Sequence, residues 1–237
     1  MKATQSDLVG IIPAAGYATR LQPLEGSKEM VRISGRPVMD LLLQRLRVAG
    51  CRDVRVVTRP EKSDVIRYAT DQGVTVVLGR PRSVSHSLLA GVAGIKGDAI
   101  VVFGFPDTIW FPVDGFVPLV KRVEAGSDVA LGVFNGLDPR RSDVVRIDEA
   151  GRIRRIEVKP PSPSSSLVWG CGASRMETLS AVADYDEPGD YFDTLCDEGR
   201  VAGVLLRGPF VDIGTRAALK EYTTIDLRDL QDQTSRR

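Results

Sequence analysis

The sequence predicts an α/β domain built on a doubly wound sheet, mixed but mainly parallel, and flanked by helices. Two short apolar runs, residues 8–12 and 99–105, lack polar alternation and are typical of strands buried on both faces. Several segments between and after them carry apolar residues at the i, i+3, i+4 spacing of amphipathic helices. Alternation of this kind favours parallel strands, with a ligand site at their carboxyl ends.

The first half of the chain alternates strand and helix. Residues 37–49 are the clearest helix, with Pro37 at the start and Gly50 as the stop. The predicted elements are a strand over 8–12, a helix over 37–49, a strand over 53–58, a helix over 61–72, a strand over 74–78, a helix over 84–94 and a strand over 99–105.

The second half is more mixed. Residues 144–147 and 153–158 flank a polar turn that contains Gly151, and they predict a β-hairpin. The other predicted elements are helices over 115–125, 175–183, 191–198 and 215–222, strands over 128–134, 167–173 and 201–206, and a segment 210–212 that leads into Gly214.

Composition excludes several functional classes. The 237 residues carry a net charge of +1 with a pI near 7.7, so no global field indicates nucleic acid or an anionic membrane as a partner. The N-terminus is too polar for a signal peptide, and no apolar run approaches the ~20 residues of a membrane span. Three separated cysteines indicate neither a disulfide framework nor a metal knuckle. We therefore expect a soluble, cytoplasmic protein.

A small-residue turn follows the first strand. Residues 13–16 leave backbone N–H groups open to a ligand, and two cations, Arg20 and Lys28, follow on the same loop. This arrangement favours binding of a polyphosphate, although neither G-x-x-x-x-G-K-[ST] nor G-x-G-x-x-G is present. A strand followed by a loop with two solvated cations is the alternative.

The same stretch resembles the signature of the sugar-nucleotide pyrophosphorylases, the nucleotidylyltransferases that activate sugar 1-phosphates. Residues 13–20 read PAAGYATR and match PAAGxGTR of that family, except that Ala18 stands where the family has its second Gly. Residues 27–30, SKEM, stand for PKEM. The resemblance implies a Rossmann-like, GT-A-like fold, with Arg20 on the leaving pyrophosphate and Lys28 on the α-phosphate. It implies a nucleotide-binding role for Ala14, Ala15, Gly16, Ala18 and Thr19.

Two carboxylates lie where ligands of a hard cation would be expected. Asp107 follows the apolar run 99–105, and Asp212 lies in the sequence FVDIGT before the last helix. Taken alone, Asp107 could belong to a Pro-containing turn, and Thr215 could cap the helix with Asp212 incidental. The resemblance implies that both aspartates bind Mg²⁺, which nucleotide phosphates and waters would help to coordinate.

A third motif, RIEVKP, places Glu157 and Lys159 on one face of a strand. A solvated ion pair is the alternative explanation. The sequence resembles the family's Glu-x-Lys-Pro, which implies that Glu157 meets sugar hydroxyls and Lys159 the sugar phosphate. Gly170 falls on a family Gly that lets the sugar lie close to the backbone.

The residues expected to select the base depart from the family. Leu78 and Ser83 stand where thymine- and uracil-selecting members have a Gln and a Gly, so the nucleotide remains open. His86 is interpreted as an ordinary helix residue.

The expected function is therefore a Mg²⁺-dependent condensation of an NTP with a sugar 1-phosphate, which releases pyrophosphate. We expect one domain over 1–237, with a nucleotide-binding part over about 1–112, a sugar-phosphate-binding part over about 113–225 and a frayed tail over 226–237. A homo-oligomer is possible. The alternatives are a catalytically weak regulatory homologue, a cytidylyltransferase for another phosphorylated alcohol, and a Rossmann-type oxidoreductase, which the missing G-x-G-x-x-G disfavours.

Overall fold

The structure is a computed structural model that describes residues 7–21, 23–95, 97–136, 139–208, 210–222 and 226–227, without the side chains of Arg20 and Ala217. The strands are β1 (Leu8–Pro13), β2 (Arg32–Ile33), β3 (Arg36–Pro37), β4 (Asp53–Thr58), β5 (Thr75–Leu78), β6 (Ile100–Gly104), β7 (Thr108–Trp110), β8 (Val129–Asn135), β9 (Val144–Ile147), β10 (Ile153–Glu157), β11 (Leu167–Arg175), β12 (Val201–Leu205) and β13 (Phe210–Asp212). The α-helices are α1 (Val38–Val48), α2 (Ser63–Asp71), α3 (Val84–Val92), α4 (Phe116–Glu124), α5 (Met176–Ser180), α6 (Pro188–Thr194) and α7 (Arg216–Tyr222).

A nine-stranded mixed sheet forms the centre of the described chain. Strands β5, β4, β1 and β6 lie side by side and are parallel. Strand β11 then runs antiparallel to β6 and borders both β8 and β9. Strand β12 joins β8 in parallel, and β10 joins β9 as the predicted hairpin. The predicted α/β class with a mixed sheet is confirmed.

Helices cover both faces of this sheet. Successive strand residues point to opposite sides, so Ile12 packs with the residues of α1, α2 and α4, whereas Ile11 packs with those of α3, α5 and α6. Both isoleucines are fully buried, and burial of such a side chain is worth about 1.5–3 kcal/mol. Because both faces are covered, the edge at the strand ends is left for a ligand.

A second, two-stranded sheet pairs β7 with β13 and has no counterpart in the sequence prediction. The strands are antiparallel, with Thr108 opposite Asp212, and the N–H of Ile213 donates to the carbonyl oxygen of Asp107 at 3.1 Å. Ile109 and Val211 lie in a small apolar cluster of their own. This pairing joins the end of the chain to the segment that follows β6.

Some predicted boundaries differ from the structure. The helix expected over 191–198 is α6, which begins at Pro188 because proline suits the first helical turn. The helix expected over 175–183 is divided into α5 and a 3₁₀ helix, Ala181–Asp184. The hairpin of β2 and β3 turns through Ser34 and Gly35, both with positive φ, and was not predicted.

The predicted frayed tail lies outside the described residues, except for residues 226 and 227. Within the described chain, every helix is too short or too polar to cross a bilayer.

Candidate active site

A cleft lies along the carboxyl edge of the parallel strands. The segments that follow β1, β4 and β6 border it, and the antiparallel β11 brings its amino-terminal end to the same edge. Four adjoining hollows of about 200, 240, 380 and 470 Å³ make up the cleft, and all four are lined by Lys28. Lys28 is therefore the residue at which the parts of the cleft meet.

Two anchors hold the backbone around Lys28, which begins a short 3₁₀ helix. Before it, Ser27 donates from its N–H and its Oγ to the carboxylate of Asp64, at 2.8 and 2.7 Å. After it, Glu29 is fully buried and accepts from Lys62 Nζ at 2.8 and 2.9 Å. Because both neighbours are tied to α2 or to the loop before it, the direction of the Lys28 side chain is set from two sides.

Lys28 forms an ion pair with Asp107, with Nζ 2.5 Å from Oδ2. Burial lowers the pKa of Lys28, but the charge of Asp107, the hydrogen bond between them and the nearby Glu29 and Asp212 outweigh it, so the pKa is raised. Lys28 therefore remains a cation at neutral pH.

Asp107 and Asp212 are brought together by the pairing of β7 with β13. Asp212 Oδ1 accepts from the N–H of Gly214 at 2.7 Å, and a Cβ on Gly214 would stand 2.7 Å from that same oxygen. The Asp212 side chain reaches solvent, yet the surrounding protein desolvates it and Asp107 repels it, which raises the pKa of Asp212. Two mutually repelling carboxylates are a favourable setting for a cation.

Asp107 and Asp212 are the candidate ligands of a divalent metal ion. Within the described chain, no three His, Cys, Asp or Glu side chains cluster as a metal site. Mg²⁺ is commonly bound by one or two carboxylates, while substrate phosphates and waters complete its shell. The donor set of Asp107 and Asp212 fits that mode.

The small-residue loop contributes to the cleft from its second half. Ala14 is buried, its N–H donates to Val57 O at 2.8 Å and its carbonyl oxygen accepts from Lys62 Nζ at 2.9 Å, so this backbone is already satisfied. Ala15 and Gly16 line the cleft, and a Cβ on Gly16 would stand 3.9 Å from Lys28 Nζ. Between described residues, the N–H groups of Ala15 and Gly16 make no hydrogen bond.

Ala18 adopts a positive φ of 53°, in the left-handed region that favours glycine. This explains physically why the signature has Gly at that place. Ala18 and Thr19 line the hollow that also contains Asp107 and Asp212. The backbone of Arg20 lies in the 3₁₀ helix Thr19–Leu21, but its side chain falls outside the described part of the structure, so the structure does not address the role predicted for it.

Arg59, which directly follows β4, also lines the cleft and was not among the predicted site residues. It is buried, and its Nε donates to Ala15 O at 2.6 Å while its Nη2 donates to Pro81 O at 3.2 Å. Its guanidinium lies 3.9 Å from the centre of the Tyr17 ring. A cation immediately after a strand at the ligand edge was a usable signal for this residue.

The two residues aligned with the base-selecting positions are separated. Ser83 lines the same hollow as Arg59 and caps α3, because its Oγ accepts from the N–H of His86 at 3.3 Å. Leu78 ends β5 with 56% of its surface exposed, and it does not line any of the four hollows.

The three residues predicted to bind the sugar phosphate also differ in position. Lys159 lines the cleft, has a φ of 42° and forms an ion pair with Glu187. Glu157 lies outside the hollow that contains Lys159 and accepts hydrogen bonds from Ser164.

Gly170 is required for packing. A Cβ on Gly170 would stand 2.1 Å from the ring of Phe210, whose side chain itself lines the cleft. Here the absent side chain makes room for Phe210. The register of β11 against β8 shifts at this point, between Trp169 and Cys171.

Two further buried polar residues that line the cleft were not among the predicted site residues. Asp143, at the amino end of β9, and Trp169, on β11, both line the hollow of about 200 Å³ that contains Lys159. Asp143 Oδ1 and Trp169 Nε1 are buried without a hydrogen-bond partner in the described structure. Their positions at strand ends on the ligand edge were the only signal in the sequence.

Two curated relatives resemble this chain in sequence. A nucleotidyltransferase of low-salt glycan biosynthesis from Haloferax volcanii is 26% identical over 169 residues, or 67% of this chain and 46% of that protein. A glucose-1-phosphate thymidylyltransferase from Mycolicibacterium smegmatis is 29% identical over 165 residues, or 66% of this chain and 57% of that protein. The chain thus spans about half the length of these curated relatives.

One solved structure shares the fold across nearly the whole chain. It is a Bacillus anthracis protein assigned as a glucose-1-phosphate thymidylyltransferase and crystallised with sucrose. The TM-score is 0.81 at 20% identity, and the match covers 92% of this chain and 96% of the other. The likeness confirms the Rossmann-like nucleotidyltransferase fold.

The family model of the MobA-like NTP transferase domain matches residues 10–189, which is most of the chain. This range includes the small-residue loop, Lys28, Asp107 and Lys159. The resemblance of the sequence to sugar-nucleotide nucleotidyltransferases is confirmed, and the chain belongs to the MobA-like NTP transferase domain family.

Proposed function

We propose that the protein is a nucleotidyltransferase that joins an NTP to a sugar 1-phosphate, yielding an NDP-sugar and pyrophosphate. The observation that carries this proposal is the position of Lys28, which lines every hollow of the cleft and pairs with Asp107. Lys28 borders both the loop after β1 and the hollow that contains Lys159. Two phosphorylated substrates, one in each place, would meet at this cation.

The chemistry asked of the protein is positioning and charge neutralisation. An oxygen of the sugar phosphate attacks the α-phosphorus of the NTP, a new P–O bond forms, and the bond to the β-phosphate oxygen breaks as pyrophosphate leaves. Lys28 stabilises the charge that grows on the α-phosphate. Arg20 binds the leaving pyrophosphate, and the N–H groups of Ala15 and Gly16 bind phosphate oxygens.

Asp107 and Asp212 are proposed to hold Mg²⁺. The metal would supply a positive charge to the phosphate oxygens when bound. Both members of the Lys28–Asp107 ion pair would take part: Asp107, with Asp212, would hold the metal, and Lys28 would contact the α-phosphate. The raised pKa of Asp212, caused by desolvation and Asp107, supports this role because a cation relieves that repulsion.

The substrates divide between two parts of the chain. Residues of about 1–112 form the nucleotide part, in which Ala14, Ala18, Thr19 and Ser83 frame the loop and its neighbouring hollow. Residues of about 113–225 form the sugar-phosphate part, in which Lys159 binds the acceptor phosphate. Glu157, Gly170 and Leu78 do not line the four hollows, so we assign them no direct contact with substrate in this proposal.

The test is pyrophosphate release from five NTPs crossed with several sugar 1-phosphates, with Mg²⁺ and with EDTA. We expect turnover of one preferred pair, which EDTA abolishes and Asp107→Asn or Asp212→Asn lowers by about 10²–10³-fold. Asp114→Asn is the matched control, because Asp114 is exposed and does not line the cleft. Its rate should equal that of the native protein.

Three results would contradict the proposal or a part of it. Nucleotide binding without turnover of any pair would favour a regulatory binding protein. Turnover that both Asp variants retain would remove the metal role from Asp107 and Asp212. Turnover with a choline- or glycerol-type phosphate, and with none of the sugar 1-phosphates, would show that the acceptor is another phosphorylated alcohol.

A further inference from the structure

The acceptor part of the cleft contains a buried carboxylate and a buried indole N–H that the proposed reaction does not yet use. Asp143 is 9% exposed and Trp169 is 3% exposed. Oδ1 of Asp143 and Nε1 of Trp169 have no hydrogen-bond partner in the described structure. Buried polar atoms in proteins are nearly always paired, so each unpaired one calls for an explanation.

The fold places the backbones of these two residues side by side. The N–H of Trp169 donates to the carbonyl oxygen of Asp143 at 3.2 Å, and Val168 pairs with Val144 on the adjacent strands. Both residues line the hollow that contains Lys159 and Lys28. The unpaired atoms thus belong to residues that border the space in which the acceptor phosphate is proposed to lie.

The protein around Asp143 does not neutralise it. Lys159 attracts the carboxylate and gives it a backbone hydrogen bond, but Glu187 and Asp190 repel it. The Lys159 side chain is itself engaged with Glu187. A donor supplied from outside the protein would therefore be bound favourably.

The two unpaired atoms favour one kind of ligand group. A carboxylate oxygen only accepts a hydrogen bond, and an indole N–H only donates one. A hydroxyl group both donates and accepts, so its chemistry suits either atom, whereas an ammonium group could not pair with the indole N–H. The aromatic rings of Phe105 and Phe210 border the same hollow and would exclude water around such a contact.

We propose that Asp143 and Trp169 select the acceptor by one of its hydroxyl groups, with Asp143 Oδ1 accepting and Trp169 Nε1 donating a hydrogen bond. Asp143 is then a specificity-determining residue for the sugar. This proposal rests on the proposed nucleotidyltransferase function and adds the recognition of a particular hydroxyl to it.

The test measures KM for the preferred acceptor in the native protein, in Asp143→Asn and in Trp169→Phe. Asp143→Asn keeps the size of the side chain and should raise the acceptor KM by about 10- to 100-fold, as expected for a hydrogen bond to a charged group. Trp169→Phe should raise it by about 3- to 10-fold, as for a neutral bond. The KM for the NTP and kcat should change by less than about 3-fold, because neither bond forms in the transition state alone.

A series of monodeoxy acceptors identifies the hydroxyl. With the native protein, one deoxy acceptor should show a rise in KM about equal to the rise that Asp143→Asn causes for the parent acceptor. With Asp143→Asn, removing the same hydroxyl should raise KM little further, since the hydrogen bond is already absent. Asp190→Asn is the matched control, because it removes an exposed charge near Asp143 that does not line the hollow. Its acceptor KM should stay near the native value.

Different results would overturn the hydroxyl contact and the proposed reaction. An unchanged acceptor KM in Asp143→Asn, with native turnover intact, would overturn the hydroxyl contact alone. An aminodeoxy acceptor preferred over its hydroxyl parent would also overturn it, in favour of a cation. Absence of native turnover with every substrate pair would overturn the proposed function, and the inference with it.

Discussion

Asp143→Asn should make the protein more stable at neutral pH, even though it should weaken binding of the acceptor. Burial is the main cause that raises the pKa of Asp143 from 3.8 to about 6, with Lys159 opposing the rise and Glu187 and Asp190 adding to it. A group whose pKa is higher in the folded state destabilises that state once it ionises. The cleft would thus retain a carboxylate that folding alone disfavours.

The magnitude follows from the size of the shift. A rise in the pKa of Asp143 from 3.8 to about 6 corresponds to about 3 kcal/mol, at about 1.36 kcal/mol for each pKa unit. The stability that the neutral form contributes is fully present below about pH 4 and is lost as pH rises through about 6. Asparagine does not titrate, so the variant should exceed the native protein by up to about 3 kcal/mol at pH 7 and by little at pH 4.

Urea unfolding followed by fluorescence of the two buried tryptophans, Trp110 and Trp169, measures this difference. Comparing the two proteins at each pH cancels the titration of all other groups to first order. Asp190→Asn should shift stability by less than about 0.5 kcal/mol, because its side chain is exposed. A native protein more stable than Asp143→Asn at pH 7, or a difference that does not change with pH, would refute the reasoning.

Three other predictions concern the framework of the site. Ala18→Gly should stabilise the fold by up to about 1 kcal/mol, since a φ of 53° strains alanine; an equal or lower midpoint of urea unfolding would argue against strain there. Gly170→Ala should lower the free energy of unfolding by about 1–3 kcal/mol, because its Cβ would overlap Phe210. Additional replacement of Phe210 by Leu should recover part of that loss. If nothing is recovered, the clash does not involve Phe210. Glu29→Ala should cost about 3–5 kcal/mol and lower kcat, since it removes the carboxylate partner of the largely buried Lys62 cation beside the Lys28 anchor. The double variant Glu29→Ala with Lys62→Met should regain stability but not kcat. Full recovery of both would show that Glu29 does not position Lys28.

Local patterns in the sequence were sufficient for the scaffold. The apolar runs of β1 and β6 and the helical spacing of α1 are determined by neighbours a few residues apart. Their order along the chain then favours a parallel arrangement, because strands joined through helices pair that way. The edge at which a ligand binds follows from the same rule, whereas the roles of Lys28, Asp107 and Lys159 were predicted from the resemblance to the sugar-nucleotide pyrophosphorylases.

What the tertiary structure alone decided is which side chains share a space. The pairing of β7 with β13 joins Asp107 to Asp212 across more than a hundred residues, and three-residue strands carry too little pattern to predict it. Asp143 and Trp169 lie next to each other because β9 and β11 meet at a single pair, Val144 with Val168. Burial and unpaired hydrogen-bonding atoms depend on such long-range contacts, so neither can be read from local sequence, and the residues proposed to recognise the acceptor emerged only from the packed fold.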